Sequence, residues 1–223
     1  MNNELCIETI KRFPFYDKLN ENEINSIKEN VLFRNCNAGM IINTGGGHEC
    51  LGMVFVCEGM LRCYMLSEEG REITLFRISA GNSCVFSASC VLSQITFDVF
   101  IEAETDSRIM ILNAQAFSHL TDTNIYVENY AYKLATKRFS DVMYAMQQLL
   151  FMRFDKRLAL FLSEEAIDDN VHMTHEQIGR DLNSAREVVT RMLNRFSDDG
   201  IVKITRGCIV ITDHKKLNNI IAS

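Results

Sequence analysis

The stretch Met173–Phe196, which reads MTHEQIGRDLNSAREVVTRMLNRF, contains the start signals of two helices. Thr174 followed by Gln177 fits a capping box, in which two side chains satisfy the first backbone groups of a helix. Ser184 followed by Glu187 repeats the pattern ten residues later. The repeat predicts a short first helix and a second helix that begins next to Ser184.

A tight turn has to join these helices, and Leu182–Asn183 is suited to it because asparagine tolerates left-handed backbone geometry. The second helix has an apolar face at helical spacing, made of Val188, Val189, Met192, Leu193 and Phe196. Its other face is polar and consists of Arg186, Glu187, Thr190, Arg191, Asn194 and Arg195. After Asp199–Gly200, the runs Ile201–Thr205 and Cys208–Thr212 predict a two-stranded wing around the turn Arg206–Gly207. Together these segments predict a winged helix-turn-helix.

A helix of this kind fits the major groove of DNA, where its N-terminal residues reach the edges of the bases. Arginine can donate two hydrogen bonds to guanine and glutamate can accept one from cytosine, whereas hydroxyls at helix N-termini suit phosphates. The residues that we expect to contact DNA are Thr174, His175, Ser184, Arg186, Glu187, Thr190, Arg191 and Arg206. Glu187 has a second interpretation, since it can also cap its own helix or pair with Arg191 one turn later.

The composition of the 223 residues, 47% of them hydrophobic, is typical of a globular protein with one large or two small domains. The net charge of −6 is unevenly spread, because residues 153–223 hold 11 basic and 11 acidic side chains and the remainder holds 12 and 18. A neutral C-terminal part can still present a local positive face to phosphates. The chain has no long apolar run and no apolar secretory segment near Met1–Lys11, so we expect a cytoplasmic protein without a membrane span.

Eight cysteines are present, but none forms a CxxC pair of the kind that zinc ribbons and iron–sulfur clusters use. We therefore expect buried, reduced thiols and no metal site. The chain also lacks the P-loop, GxGxxG, HExxH and GxSxG patterns, and its paired acids at Glu164–Glu165 and Asp168–Asp169 are typical of a solvated surface. No catalytic residue is predicted, and an enzyme is not expected.

The pattern changes twice in the N-terminal part of the chain. Residues 1–30 have helical spacing, whereas Val31 to Leu112 consists of short apolar or alternating runs separated by turns, which predicts a small antiparallel barrel or sandwich. Helical spacing returns after Asn113, on a helix of roughly 28 residues that begins near Ile125. Its apolar positions step by three and four as an a/d seam: Tyr132, Ala135, Phe139, Val142, Met146 and Leu149. This helix either pairs with a second copy in a parallel dimer, which we favour, or lies on its own barrel.

The segments Thr174–Gly179 and Ala185–Leu193 resemble the winged helix-turn-helix of the CRP/FNR superfamily, bacterial regulators related to the cyclic-AMP receptor protein. Gly59 and Ser67–Gly70 are similar to barrel turns of that family, and Gly81–Leu92 occupies the place of its phosphate-binding cassette. The resemblance implies an α+β fold: an N-terminal antiparallel β-barrel of the jelly-roll, cyclic-nucleotide-binding type, a long dimerisation helix and a C-terminal winged helix-turn-helix domain. The expected boundaries are 1–122 for an effector-sensing barrel, 123–151 for the dimerisation helix and 152–223 for the DNA-binding domain.

By that resemblance, Arg186, Glu187 and Arg191 match the positions at which the family reads bases. The implied half-site core is of the TGA type, so the expected partner is double-stranded DNA with a two-fold symmetric operator containing TGA…TCA. A homodimer would place its two recognition helices about one DNA turn, ~34 Å, apart. RNA polymerase is a further candidate partner. The alternative function is a barrel that binds a ligand or oligomerises without specific DNA readout.

The cassette departs from the family's cyclic-nucleotide binders, which use a glutamate for the ribose and an Arg-Ser pair for the phosphate. Residues Ser83–Asp98 contain neither arginine nor glutamate. A buried cyclic phosphate would lack its charge partner there, so tight binding of cyclic AMP is not expected. Only Cys6 lies in the N-terminal region where the oxygen-sensing branch holds an iron–sulfur cluster, which argues against that sensor as well.

Three kinds of effector remain, besides the absence of any effector. The first is an uncharged or apolar small molecule between barrel and long helix, near Cys84, Val85, Ser87, Cys90, Thr96, Phe97, Tyr132 and Phe139. The second is redox sensing by Cys84 and Cys90, which requires their Cα atoms to lie within ~7 Å. The third is haem bound through His48 in the Gly45–Cys50 loop. The sequence leaves the effector and any cofactor undetermined.

Overall fold

The computed structural model of the chain describes residues 3–44, 51–70, 72–85 and 99–222. Its helices are α1 (Asn3–Ile10), α2 (Glu21–Asn30), α3 (Ala114–Thr123), α4 (Ile125–Phe151), α5 (Phe154–Glu165), α6 (His175–Asp181), α7 (Arg186–Asp198) and α8 (His214–Ala222). Its strands are β1 (Val31–Cys36), β2 (Ile41–Thr44), β3 (Met53–Glu58), β4 (Met60–Leu66), β5 (Glu72–Ser79), β6 (Ser83–Cys84), β7 (Phe100–Ala103), β8 (Ser107–Leu112), β9 (Asn170–Val171), β10 (Val202–Thr205) and β11 (Cys208–Ile211). None of these described helices is both long and apolar enough to cross a membrane.

The chain forms two compact units, one of Met1–Gly70 with Leu75–Val142 and one of Arg71–Thr74 with Met143–Ser223. The centre of the first unit consists of two antiparallel sheets, with strand orders β1-β8-β3-β6 and β2-β7-β4-β5. The α+β class is confirmed, and so is the antiparallel sheet domain that was expected in the N-terminal part. In the part of the chain that is described, the strands form two open four-stranded sheets, as in a sandwich, rather than one closed barrel.

Strand β3 shows why the sequence forms this core. Its residues from Met53 to Cys57 are all buried, and the strand lies between β8 and β6 in the interior of its sheet. A strand covered on both faces has a continuous apolar sequence rather than an alternating one. The following Gly59 has φ +84, and atoms of Asp106 and Ser107 fill the space where a Cβ would stand, so only glycine fits this turn.

Helix α4 has 27 residues, close to the length predicted for the dimerisation helix. One side of it is buried on the first unit at positions spaced by four, three and four: Val127, Ala131, Leu134 and Arg138. A second side exposes large apolar groups on the single chain: Tyr132, Phe139, Met143, Met146, Leu150 and Phe151. The helix therefore packs on its own domain and also presents an uncovered apolar stripe, which overlaps the predicted seam.

The second unit is built around one apolar cluster from helices α5 to α8 and the small sheet, with buried Leu158, Leu162, Ile178, Val189, Leu193, Phe196, Ile209 and Leu217 among its members. The predicted wing strands are present as β10 and β11, paired from Val202 opposite Ile211 to Thr205 opposite Cys208. The sequence did not predict the third strand β9, which extends the sheet in the order β10-β11-β9. It did not predict helix α8 either.

Candidate nucleic-acid interface

The first helix of the motif, α6, begins as predicted. The Thr174 side chain accepts a hydrogen bond from the backbone N–H of Gln177 at 3.1 Å, and Oε1 of Gln177 accepts one from the backbone N–H of Thr174 at 2.8 Å. The capping box is thereby complete. The two residues of the capping box lie three positions apart in sequence, so the local geometry of the chain is enough to form it.

The turn between the helices depends on Asn183 and Gly179. Asn183 has φ +50, the left-handed conformation that was predicted for it. The backbone N–H of Ser184 donates to the carbonyl oxygen of Gly179 at 2.8 Å. A Cβ on Gly179 would lie only 2.8 Å from the carbonyl oxygen of Ser184. The close approach of these two backbones requires glycine at position 179.

Ser184 does not cap the second helix, contrary to the prediction. The N-cap of α7 is Ala185, with no side-chain hydrogen bond, and the helix begins at Arg186. The physical reason is local: around left-handed Asn183 the N–H of Ser184 bonds back to Gly179 and that of Asn183 to Arg180, a Schellman-type end of α6 that makes Ser184 the last residue of the turn. The N-terminus of α7 therefore carries no side-chain cap, which leaves its first amides available to a ligand.

Helix α7 is strongly two-sided. Val189, Leu193 and Phe196 are buried in the core. The opposite face is an open polar surface formed by Arg186, Glu187, Thr190, Arg191, Asn194, Arg195 and Asp198. Most of these residues are exposed. The polar face that the sequence assigned to DNA is thus continuous and accessible.

The charges on this face are only weakly compensated. Arg195 lies 3.9 Å from Asp199 in an exposed i,i+4 pair, a kind that contributes little. In the described chain, no ion pair within 4.0 Å joins Glu187 to Arg191. The interpretation of Glu187 as a local partner for Arg191 is therefore not realised.

His175 connects α6 to α7. Its Nδ1 lies 2.9 Å from Oγ1 of Thr190, and that hydroxyl lies 2.9 Å from the carbonyl oxygen of Arg186, to which it donates. Since the hydroxyl has only one hydrogen, Nδ1 of His175 must be the donor in the other bond. Burial lowers the pKa of His175 below its ordinary value of 6.5, and the positive charge of Arg186 lowers it further.

One contact in this unit was not anticipated. The Asn183 side chain accepts a hydrogen bond from the backbone N–H of Thr74 at 2.6 Å and donates one to its carbonyl oxygen at 3.1 Å. The Thr74 hydroxyl donates to the carbonyl oxygen of Arg180 at 3.2 Å. These bonds join residues more than a hundred positions apart, so no local pattern indicates them. They hold the turn of the motif in addition to its own backbone bonds.

At the wing, the turn between β10 and β11 places Arg206 in solvent, beside Gly207 at φ +77. Of the other residues predicted for DNA contact, Thr174 and His175 lie at the start of α6, and Ser184 is partly exposed at the end of the turn. The second unit therefore brings the predicted set onto α6, the turn, α7 and the wing.

The residues predicted to line the effector pocket do not come together in the way that the predicted DNA-contact residues do. Cys84 and Val85 are fully buried in the first unit, whereas Tyr132 and Phe139 expose 60% and 62% of their surface. From α4 it is Tyr130 and Arg138 that approach the start of the cassette. The rest of the predicted set, Ser87, Cys90, Thr96 and Phe97, lies outside the described residues, as does the Gly45–Cys50 loop with His48.

Ser83 is the point at which α4 holds β6. The Tyr130 hydroxyl lies 2.8 Å from Oγ of Ser83, and a guanidinium nitrogen of Arg138 donates to the Ser83 carbonyl oxygen at 3.0 Å. Arg138 also pairs with Asp141 at 2.9 Å and lies over the ring of Phe76. The charge near the cassette is thus already paired within the protein. Within the described residues there is no cluster of three or more His, Cys, Asp or Glu side chains that suits a metal ion.

Comparison with known proteins agrees with this arrangement. Residues 156–220 match the family model of the Crp-like helix-turn-helix domain. A curated relative, electron transport regulator A of Shewanella oneidensis, is 25% identical over 174 residues, which cover 72% of this chain and 67% of the relative.

Two solved structures extend the match to most of the chain. A protein of Eubacterium rectale described as a transcriptional regulator of the CRP/FNR family is 40% identical, with coverage of 96% of this chain and 100% of that protein and a TM-score of 0.87. A CRP/FNR transcriptional regulator of Thermus thermophilus shares the fold, with 23% identity, coverage of 86% and 99%, and a TM-score of 0.65. The chain therefore belongs to the CRP/FNR family of transcriptional regulators.

Proposed function

We propose that the chain regulates transcription as a homodimer that binds a two-fold symmetric operator with TGA-type half-sites, gated by a signal at the N-terminal domain. The family and the Crp-like helix-turn-helix domain make it a DNA-binding regulator rather than an enzyme. In this proposal residues 1–122 sense the signal, 123–151 form the dimerisation helix and 152–223 bind DNA. RNA polymerase is a candidate partner at the promoter.

The observation that carries the proposal is the exposed polar face of α7. Arg186, Glu187 and Arg191 stand on its N-terminal half, which is the part of a recognition helix that reaches base edges. Each has donors or an acceptor that bases in the major groove complement, and no ion pair between Glu187 and Arg191 consumes them in the described chain. We assign base readout to these three residues and to Thr190.

Phosphate contacts fall to the residues around that helix. Thr174 and His175 stand at the N-terminus of α6, Ser184 stands beside that of α7, and Arg206 stands at the tip of the wing. Because the Thr174 hydroxyl already donates to Gln177 and Nδ1 of His175 to Thr190, the phosphate contact at α6 is assigned to the backbone N–H of His175. Such contacts position a protein on the duplex and do not discriminate between sequences. The rest of the chain is acidic and repels the phosphates of DNA, so this face is the surface that suits DNA binding.

The proposed dimer uses the uncovered apolar stripe of α4. Stripes of this size on a long helix are typical of an interface, because exposed apolar side chains gain by leaving water. Two copies of α4 packed in parallel would relate the two DNA-binding units by a two-fold axis. Recognition helices about one DNA turn, ~34 Å, apart would then match the two half-sites.

For the signal, we expect that cyclic AMP is not bound tightly. The cassette stretch Ser83–Asp98 has no arginine or glutamate, and Arg138, which approaches it from α4, is paired with Asp141. A cyclic phosphate would have to displace that carboxylate to gain a charge partner. An uncharged small molecule near Cys84 and Val85 remains our first choice of a bound effector.

The Arg186→Ala substitution tests the DNA-binding proposal. We expect it to weaken binding to a DNA duplex with TGA…TCA by roughly 5- to 150-fold, equivalent to about 1–3 kcal/mol for one bidentate contact. Arg12→Ala is the matched control, since it removes an exposed charge of the same kind outside the second unit. Thermal melting should be unchanged in both.

Binding should be measured by fluorescence anisotropy on the symmetric duplex and on a scrambled one. A wild-type protein that binds both duplexes equally, or an Arg186→Ala variant that binds like wild type, would favour the alternative of a barrel without specific DNA readout.

A further inference from the structure

The hydroxyl of Thr190, on the polar face of α7, is already bonded within the protein. Thr190 lies one turn after Arg186, and its Oγ1 donates a hydrogen bond to the carbonyl oxygen of Arg186 at 2.9 Å. The same oxygen accepts a hydrogen bond from Nδ1 of His175, also at 2.9 Å. Because a hydroxyl has a single hydrogen, Thr190 has no donor left for a base.

Two different helices fix the orientation of this side chain. The bond to Arg186 lies within α7, whereas His175 belongs to α6, and the two helices share a core that includes Ile178 and Val189. A threonine in a helix is divided between two rotamers, because its hydroxyl can bond the backbone of the preceding turn. The second bond, to a side chain on the other helix, is satisfied in only one of them.

The methyl group is what Thr190 has left for a ligand. Its oxygen and its methyl leave the same carbon in staggered directions about 120° apart, so an oxygen turned toward His175 and the backbone directs the methyl elsewhere. Thr190 is half-buried and forms part of the polar face. The other residues of that face end in charged or amide groups: Arg186, Glu187, Arg191, Asn194, Arg195 and Asp198. The Thr190 methyl is thus an apolar group set among polar ones.

The major groove of DNA offers one apolar group to such a contact, the 5-methyl group of thymine. The half-site that we propose supplies it, since a TGA core paired with its complement contains one thymine on each strand. A methyl contact also complements the readout by Arg186 and Glu187, because those side chains recognise hydrogen-bonding edges of guanine and cytosine. The two kinds of contact together distinguish base pairs that either kind alone leaves unread.

We propose that Thr190 recognises a thymine in each half-site through its methyl group, and that His175 is a positioning residue that holds the Thr190 hydroxyl away from the bases. The inference rests on the proposed function, which assigns Thr190 to base readout, and it names the chemical group that is read. The hydroxyl oxygen keeps a second lone pair, which is able to accept a hydrogen bond from adenine or cytosine. Readout through that lone pair is the competing mode, and removing the methyl or the hydroxyl separately distinguishes the two.

The direct test removes the methyl group from the DNA. In the symmetric duplex, one thymine position at a time is replaced in both half-sites by deoxyuridine, which keeps the base pairing and every hydrogen-bonding group. We expect one position at which wild type loses affinity by roughly fourfold per half-site, or about fifteenfold for both, the usual effect of one buried methyl group. Fluorescence anisotropy measures each duplex. Arg186→Ala is the control, and it should bind both duplexes more weakly while keeping the ratio of their affinities.

Two variants of Thr190 separate its methyl from its hydroxyl. Thr190→Ser keeps the hydroxyl and loses the methyl, so we expect it to bind the thymine and deoxyuridine duplexes equally. Thr190→Val keeps the methyl and loses the hydroxyl, so we expect it to retain the preference for thymine. Thermal melting checks that both variants are folded. Loss of the preference in Thr190→Val, or its retention in Thr190→Ser, would overturn the inference.

His175→Ala tests the positioning role of the histidine. The variant leaves the Thr190 hydroxyl free to turn, while it keeps the backbone N–H at the start of α6. We expect the preference for thymine over deoxyuridine to fall, and to return in the double variant His175→Ala/Thr190→Val, because valine has no hydroxyl to be held. If His175→Ala instead weakens binding to both duplexes equally and the ratio of affinities stays at the wild-type value, His175 is not a positioning residue for Thr190.

Failure of the proposed function has a different signature from failure of the inference. If wild type binds the symmetric and the scrambled duplex equally, the proposed function is wrong, and the inference falls with it. If wild type prefers the symmetric duplex and yet is insensitive to the methyl group at every thymine position, the proposed function stands and methyl readout by Thr190 is wrong.

Discussion

His175 shows how a single side chain makes the motif sensitive to pH. Its imidazole lies between α6 and α7 and donates to Thr190 at 2.9 Å. Burial, and then the charge of Arg186, lower its pKa in the folded protein. The folded state therefore favours the neutral ring, while the unfolded chain takes up a proton at the ordinary value near 6.5.

The sign of the resulting pH dependence is set by that difference. The stabilisation that His175 contributes is present above pH 6.5 and is lost as the pH falls through 6.5 toward the lowered pKa. We expect wild type to lose more thermal stability than His175→Gln does when the pH falls from about one unit above 6.5 to about one unit below it, while NMR titration gives a midpoint for His175 below 6.5. A midpoint at or above 6.5 would contradict the burial argument.

Gly179 is the residue on which the geometry of the turn depends. A methyl group at this position would stand 2.8 Å from a backbone oxygen of Ser184, which cannot move without opening the turn. We expect Gly179→Ala to destabilise the second unit by about 1–3 kcal/mol, the usual cost of overpacking. Gly207→Ala at the wing tip is the comparison, since it meets nothing within 4 Å and costs only backbone strain of about 1 kcal/mol. Equal losses in chemical unfolding of the two variants would mean that the clash is relieved.

Thr174 and Ser184 show where sequence reasoning succeeds and where it stops at the scale of residues. Both begin the same pattern, and the Thr174 box forms because its two partners are three residues apart. At Ser184 the backbone N–H is bonded to Gly179, five residues back, as part of the Schellman-type end of α6 around left-handed Asn183. The N-cap pattern does not contain that information, because it belongs to the C-terminal signal of the preceding helix. The left-handed Asn183 was predictable, whereas its bonds to Thr74 were not.

At the scale of elements, α4 is an example of what the sequence predicts and β9 of what it does not. The apolar period of α4 indicated its length, because a helix of 27 residues repeats its pattern many times. β9 has two residues, and its pairing of Val171 with Ile209 joins positions far apart in sequence. So short a run has no period of its own, and its place in the sheet is decided by β11.

The two faces of α4 lead to a prediction about assembly. Leu134 and Arg138 are buried on the first unit, while Phe139 on the apolar stripe is exposed. We expect Phe139→Glu to weaken the dimer by roughly 30- to 1,000-fold, because a carboxylate would be buried between two copies without a partner. Lys133→Glu, about 120° around the helix, should leave the dimer intact. Sedimentation velocity checks both variants, and a Phe139→Glu dimer as stable as wild type would move the interface elsewhere.

At the scale of the whole molecule, the net charge of −6 opposes binding to DNA, so affinity must come from a local face. Residues 153–223 carry no net charge, yet Arg186, Arg191 and Arg206 stand exposed on the elements that face the duplex in our proposal. Each phosphate that a cation neutralises releases counterions, which makes affinity fall as salt rises. Binding that combines base readout with phosphate contact should therefore separate into a salt-dependent and a sequence-dependent part.

Arg206→Ala measures the first part and Arg186→Ala the second. If Arg206 contacts a phosphate, its loss should reduce the slope of log affinity against log salt by about one per protomer and weaken symmetric and scrambled duplexes alike. Arg186→Ala should instead reduce the preference for the symmetric duplex. Both slopes come from anisotropy titrations between about 50 and 200 mM salt. If Arg206→Ala altered sequence preference while keeping the wild-type slope, the wing would be reading bases, and the division of roles between wing and recognition helix would have to be redrawn.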